Sequence, residues 1–153
     1  MKDVERVLQP GETLVYLTSL HWLVYLRAIE LLILAVASLI GSAFVSDDYA
    51  LALQALAALL GLLALIAGLH ALIRRVSTEL AVTDRRVIYK AGVLRRHTME
   101  MNRSKVETVG VDQSILGRIL GYGTVIVRGT GGSFEPIPFI GEPLTFRSHI
   151  TAG

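Results

Sequence analysis

Residues Ala50 to Ile73 (ALALQALAALLGLLALIAGLHALI) form a run of 24 residues without one charged side chain. No other feature restricts the fold as much. A helix rises about 1.5 Å per residue, so the run spans about 36 Å, enough to cross a hydrocarbon core of about 30 Å with some tilt. A core helix of a soluble protein keeps a polar stripe, and this run has almost none. A second apolar run precedes it, Ala28 to Val45 (AIELLILAVASLIGSAFV), whose one charge, Glu30, lies near its start. Only Ser46, Asp47, Asp48 and Tyr49 separate the two. So short a link forces an antiparallel helical hairpin. The expected organisation is a cytoplasmic N-terminal segment over 1–20, transmembrane helix 1 over 21–45, an external turn over 46–49, transmembrane helix 2 over 50–73 and a cytoplasmic domain over 74–153.

Composition agrees. Hydrophobic residues make up 52% and charged residues 18%, where an ordinary soluble domain has about 25% charged. Disorder is excluded by the apolar content. The lack of cysteine excludes a disulfide scaffold and a thiolate metal site. The first apolar run starts too late for a cleavable signal peptide, and a second span follows at once. Lys2, Arg6 and Arg27 precede the first span, the link has no basic residue, and twelve lie from Arg74 onward. The positive-inside rule then puts both flanks in the cytoplasm. Trp22 suits the headgroup belt, Arg27 can snorkel, and Arg74 and Arg75 close the second span.

Within the second span, Ala50, Gln54, Ala57, Gly61, Ala64, Gly68 and Ala71 alternate at spacings of four and three. Ala57, Gly61, Ala64 and Gly68 are the expected helix-packing residues, because small side chains let backbones approach closely in lipid. The pattern fits packing inside one hairpin and assembly between protomers equally well. Glu30 lies one turn from Arg27 and His70 one turn from Arg74, which places both at the cytoplasmic interface.

From Val76 the pattern changes to period-two alternation with turn signals. Strands are expected at Ser77–Thr83, Arg86–Lys90, Val93–Asn102, Val106–Gln113, Gly123–Arg128 and Ser133–Ile140. Ser114–Leu120 (SILGRIL) reads as a helical turn and Pro143–Ile150 as a short helix. Thr13–Leu20 fits a strand or the leading end of the first helix. The fold class is thus membrane α plus soluble β: a two-helix hairpin and a bent antiparallel sheet or small barrel with a short C-terminal helix.

The order Gly11-Glu12, Leu20-His21-Trp22, two spans, Leu80-Ala81-Val82-Thr83-Asp84-Arg85-Arg86, Gly92-Val93-Leu94 and Gln113-Ser114-Ile115-Leu116-Gly117-Arg118-Ile119-Leu120-Gly121-Tyr122-Gly123-Thr124 resembles the bacterial pleckstrin-homology-like membrane protein family. The resemblance covers nearly the whole chain. It implies a cytoplasmic pleckstrin-homology fold of about seven strands, closed at one end by a C-terminal helix, on the bacterial inner membrane. It attaches no catalytic residues and no cofactor. The wider fold binds phosphoinositides near its first hairpin, where Arg85 and Arg86 stand here, but that ligand is not carried over to a bacterial chain.

Arg74, Arg75, Arg85, Arg86, Lys90, Arg95 and Arg96 make a basic region beside the spans, within twelve basic and seven acidic residues from Arg74 onward. Anionic headgroup binding at Trp22, Arg27, Arg74, Arg75, Arg85 and Arg86 explains it, and so does the ordinary positive-inside excess. Nucleic-acid binding fits poorly, since the aromatics are not interleaved with the charge. Gly129-Thr130-Gly131-Gly132 is a hairpin turn rather than a phosphate loop, because no helix or lysine follows. His21, His70, His97 and His149 have no metal-ligand spacing, and no nucleophile, base and orienting group converge. The expected function is a non-enzymatic, membrane-anchored interaction or scaffold module, self-associating and touching anionic lipid, with no small-molecule substrate. The alternatives are an accessory subunit of a larger membrane complex and an oligomeric channel or transporter. The near absence of polar stripes in the spans argues against the channel.

Overall fold

The computed structural model describes residues 8–92, 97–133 and 136–151. It divides into two compact units. One takes the chain up to His21 and again from Arg74 on; the other is Trp22–Ile73. Residues 8–21 lie in the sheet unit.

The helical unit holds a 3-10 turn at Trp22–Tyr25, α1 over Leu26–Gly41 and a second 3-10 turn at Ser42–Phe44. Helix α2 runs over Asp47–Ser77 and so continues past the unit's end. The link is shorter than the expected 46–49. The Ser46 carbonyl accepts N–H bonds from Tyr49 and Ala50, both at 3.0 Å, and Asp47 and Asp48 occupy the first turn, where carboxylates favour the helix dipole. Arg74 and Arg75 lie in the last turn, the matching position for cations, and α2 ends at Ser77 rather than Ile73. His21, expected as the first helical residue, stays with the sheet unit.

The helical stretches Trp22–Phe44 and Asp47–Ser77 are long and apolar enough to cross a membrane, and within the most apolar stretch of each only 11% and 17% of residues are buried. A soluble core helix would be mostly buried. The buried positions are small: Ala35 on α1 and Ala57, Ala64 and Ala71 on α2. The Ser38 hydroxyl donates to the Leu53 carbonyl at 2.9 Å.

The sheet unit contains two antiparallel sheets that do not close into a barrel. The first has the order β1 (Leu14–Ser19), β2 (Glu79–Thr83), β3 (Arg86–Ala91), β4 (His97–Asn102). The second has β5 (Val106–Asp112), β6 (Tyr122–Gly129) and β7 (Gly132–Ser133), with β8 (Ile137–Gly141) also pairing β6. A bridge between Leu20 and Ile140 ties the two. Thr13–Leu20 is therefore a strand, paired with β2 from Leu14↔Thr83 to Ser19↔Glu79. Strand β2 is central, and Leu80, Ala81, Val82 and Thr83 are all buried. Strand β6 alternates, sending Gly123, Val125 and Val127 inward.

Helix α3 (Ile115–Leu120) connects β5 to β6, and α4 (Pro143–Thr151) closes one end. Phe146 and Ile150 of α4 are buried in the core. Arg103 donates to the Ile150 and His149 carbonyls at the end of α4, and His149 stacks on Tyr16 with ring centroids 4.5 Å apart. The short C-terminal helix thus packs against β1, β5 and β6.

Candidate functional site

The expected headgroup residues fall into two places in the sheet unit. The first is the β2–β3 hairpin. Glu12 is a buried carboxylate, and a buried charge needs a partner. Arg86 supplies it: Nε donates to Oε1 at 2.9 Å and Nη2 to Oε2 at 2.8 Å. The third arm of the fork, Nη1, reaches Glu100 on β4. The Thr83 hydroxyl donates to Glu12 at 2.7 Å and accepts the N–H groups of Arg85 and Arg86. The Gln9 N–H adds a bond at 2.8 Å. The Arg86 hydrogen bond is the chief reason the Glu12 pKa falls from 4.5 to about 2. The same bond raises the Arg86 pKa.

Arg86, one of the expected headgroup residues, is held by Glu12 and Glu100 in the sheet unit. Its side chain is only 11% exposed, and it is spent on two carboxylates. The Thr-Asp-Arg-Arg turn is a clamp throughout. Asp84 Oδ1 accepts the Thr13 N–H at 3.0 Å, and the Asp84 N–H returns a bond to the Thr13 carbonyl at 3.1 Å. Arg85 of the pair is exposed, and among the described residues its ion pair is a loose 3.9 Å approach to Asp84. It shares a groove of about 610 Å³ with Gln9, Met99, Glu100 and Lys105. Arg95 and Arg96 lie outside the described residues.

The second place is the end of the sheet unit from which the chain leaves for the apolar helices. His21 donates its N–H to the Phe139 carbonyl at 2.6 Å. Its ring stacks on Tyr122 at 5.5 Å, and Tyr122 stacks on Phe139 at 5.9 Å. Burial and the charge of Arg75 lower the His21 pKa, while the Leu120 backbone raises it. Arg74 and Arg75 are exposed. At the other side of this junction, in the helical unit, Trp22 is 45% exposed and Arg27 is exposed.

The packing residues of α2 are split by the structure. Ala57 and Ala64 are buried, and a Cβ at Gly68 would stand 3.7 Å from that of Ala28 on α1. These residues face the hairpin partner. Gly61 has open space at its Cβ position, and with Ala64 and Gly68 it lines an apolar groove of about 740 Å³ beside Trp22, Tyr25 and Ile29. Gln54 is exposed.

The profile of the family described as Bacterial PH domain matches residues 22–149. The chain belongs to that family. No curated protein and no solved structure matches it. The family match spans both apolar helices as well as the sheets, while β1 precedes it. A bacterial PH domain is a lipid or protein interaction module, and among the described residues no three of histidine, aspartate and glutamate gather as a metal site.

Sequence reasoning missed three features of this bacterial PH domain. Glu12 was visible only as a letter beside Gly11, because its partner is 74 residues away. Glu100 falls within the expected strand Val93–Asn102, where nothing local marks its bond to Arg86. The exposed apolar side chains of α3 were visible as letters too, and their pattern (Ile115, Leu116, Ile119, Leu120) is amphipathic.

Proposed function

We propose that this bacterial PH domain protein is a non-enzymatic interaction module anchored in the cytoplasmic membrane by the α1–α2 hairpin. The sheet unit lies on the cytoplasmic side, with Arg74, Arg75 and Arg85 meeting anionic headgroups. Self-association uses the α2 groove at Gly61 and the exposed sheet edges. One observation carries the reading: the two helices leave their large aliphatic side chains uncovered all along, with Ile33 61%, Leu51 73% and Leu65 60% exposed. In water such a surface drives aggregation; in hydrocarbon it is satisfied. The basic excess from Arg74 onward supports the orientation.

The test is Asp47→Cys in a chain that has no native cysteine. In intact cells it reacts with a membrane-impermeant maleimide, and the chain stays in the membrane pellet through an alkaline wash. Extraction by the wash removes the anchor, and reaction only after lysis reverses the orientation.

A further inference from the structure

Helix α3 is held with unusual care for a six-residue element. Ser114 caps its start by accepting the Gly117 N–H at 3.1 Å. Gly121, at φ +74°, ends it in the left-handed region that favours glycine. Gln113 Nε2 donates to the Tyr122 carbonyl at 2.9 Å. At Gly117 a Cβ would stand 2.7 Å from that same carbonyl, so only glycine lets the helix lie so close to β6.

Yet this anchoring buries none of the large side chains. Ile115 is 80%, Leu116 63% and Ile119 74% exposed. A lone exposed aliphatic is ordinary, but a contiguous apolar cluster marks an interaction surface. Its location identifies the occupant. The helix ends at Leu120, and two residues on, the Tyr122 ring stacks on His21 with centroids 5.5 Å apart. His21 and Arg74 are the two residues through which the sheet unit joins the apolar helices. The cluster therefore lies at the end of the sheet unit that carries His21, with the cation Arg118 exposed on the same helix and Arg74 and Arg75 exposed where the chain re-enters the unit. Apolar residues backed by arginines are complementary to an anionic leaflet, with acyl chains beneath and phosphates above.

We propose that α3 is an interfacial foot that inserts Ile115, Leu116 and Ile119 into the cytoplasmic leaflet. The proposal rests on the membrane reading above. It adds a third, non-spanning attachment that fixes the tilt of the sheet unit on the bilayer.

The experiment uses the full chain in vesicles of phosphatidylcholine and phosphatidylglycerol, with one bimane-labelled cysteine per variant: Ile119→Cys on α3, Leu62→Cys on α2 and Glu107→Cys on β5. All three side chains are exposed, so labelling leaves the packing intact. Nitroxide lipids labelled near the headgroup should quench Ile119→Cys several-fold more than Glu107→Cys, and nitroxides deep in the acyl chain should quench Leu62→Cys. Quenching at Ile119→Cys no greater than at Glu107→Cys, with Leu62→Cys quenched, overturns the foot and leaves the anchor standing. Loss of quenching at Leu62→Cys as well overturns the membrane reading beneath it.

Discussion

Replacing Glu12 by Gln removes the carboxylate that Arg86 was folded around. The magnitude follows from the geometry. The Glu12 side chain is fully buried and accepts both forks of Arg86. Its pKa falls from 4.5 to about 2, and at roughly 1.4 kcal/mol per pKa unit the drop corresponds to about 3 kcal/mol of folded-state stability. This contribution is complete above pH 4.5, where the unfolded carboxyl is ionised, and it is lost as pH falls toward about 2, where the folded carboxyl protonates. Breaking one side of a buried pair typically costs about 3–5 kcal/mol, since the other charge is left behind. That is a large share of the roughly 5–15 kcal/mol that holds an ordinary domain together. The assay is amide hydrogen exchange of β1 and β2 in the full chain in detergent micelles, because Glu12 ties the N-terminal segment to that pair of strands. In Glu12→Gln, protection of these amides should drop by two or more orders of magnitude at neutral pH. The residual protection should then be flat between pH 4.5 and about 2, where the parent declines. Arg86→Met should match it. The double variant Glu12→Gln with Arg86→Met should lose less than the two single losses combined, because no charge is stranded. Equal protection in parent and Glu12→Gln, or strict additivity in the double variant, would refute the clamp.

Three further outcomes follow from single contacts. Gly117→Ala forces a Cβ to 2.7 Å from the Tyr122 carbonyl and should cost about 1–3 kcal/mol, read as a lower thermal midpoint of the sheet unit. Ser38→Ala removes the hydroxyl bond to the Leu53 carbonyl and should weaken the hairpin by about 0.6 kcal/mol, measured by steric trapping in bicelles. Arg85→Gln should leave stability unchanged and reduce contact of the sheet unit with phosphatidylglycerol bilayers by about 1 kcal/mol, read by neutron reflectometry.

How far the sequence was legible follows from the range of the forces involved. The two apolar helices were plain because apolarity adds up residue by residue, and Ala50–Ile73 carries no charge to obscure it. Their ends moved, to Asp47 and Ser77, because capping and dipole effects extend a helix into polar residues that hydropathy assigns to the turns. The strands from Glu79 to Asp112 were readable from alternation, and Thr13–Leu20 was ambiguous because its partner, β2, begins some 60 residues later. The electrostatics were the least legible. Arg85 and Arg86 are adjacent letters with equal charge, and nothing local distinguishes the exposed one from the one locked against Glu12 and Glu100.

The two most distinctive motifs then share one physical purpose. Thr83-Asp84-Arg85-Arg86 uses a hydroxyl, a carboxylate and a guanidinium to fasten the N-terminal segment to a hairpin. Gln113 to Thr124 uses a cap, a side-chain amide and close-approach glycine to fasten a short helix to β6. Neither brings reactive groups together. Each instead fixes a local geometry: the first holds β1, the strand that precedes His21, and the second holds α3 next to Tyr122, whose ring stacks on His21. On the proposed reading, the sheet unit would have to keep one surface toward lipid and another away from it. The His21–Tyr122 stack beside α3 would serve that need in the proposed reading. Interchanging polar and apolar residues on α3 should therefore disturb orientation before it disturbs folding, since its exposed side chains support nothing in the core.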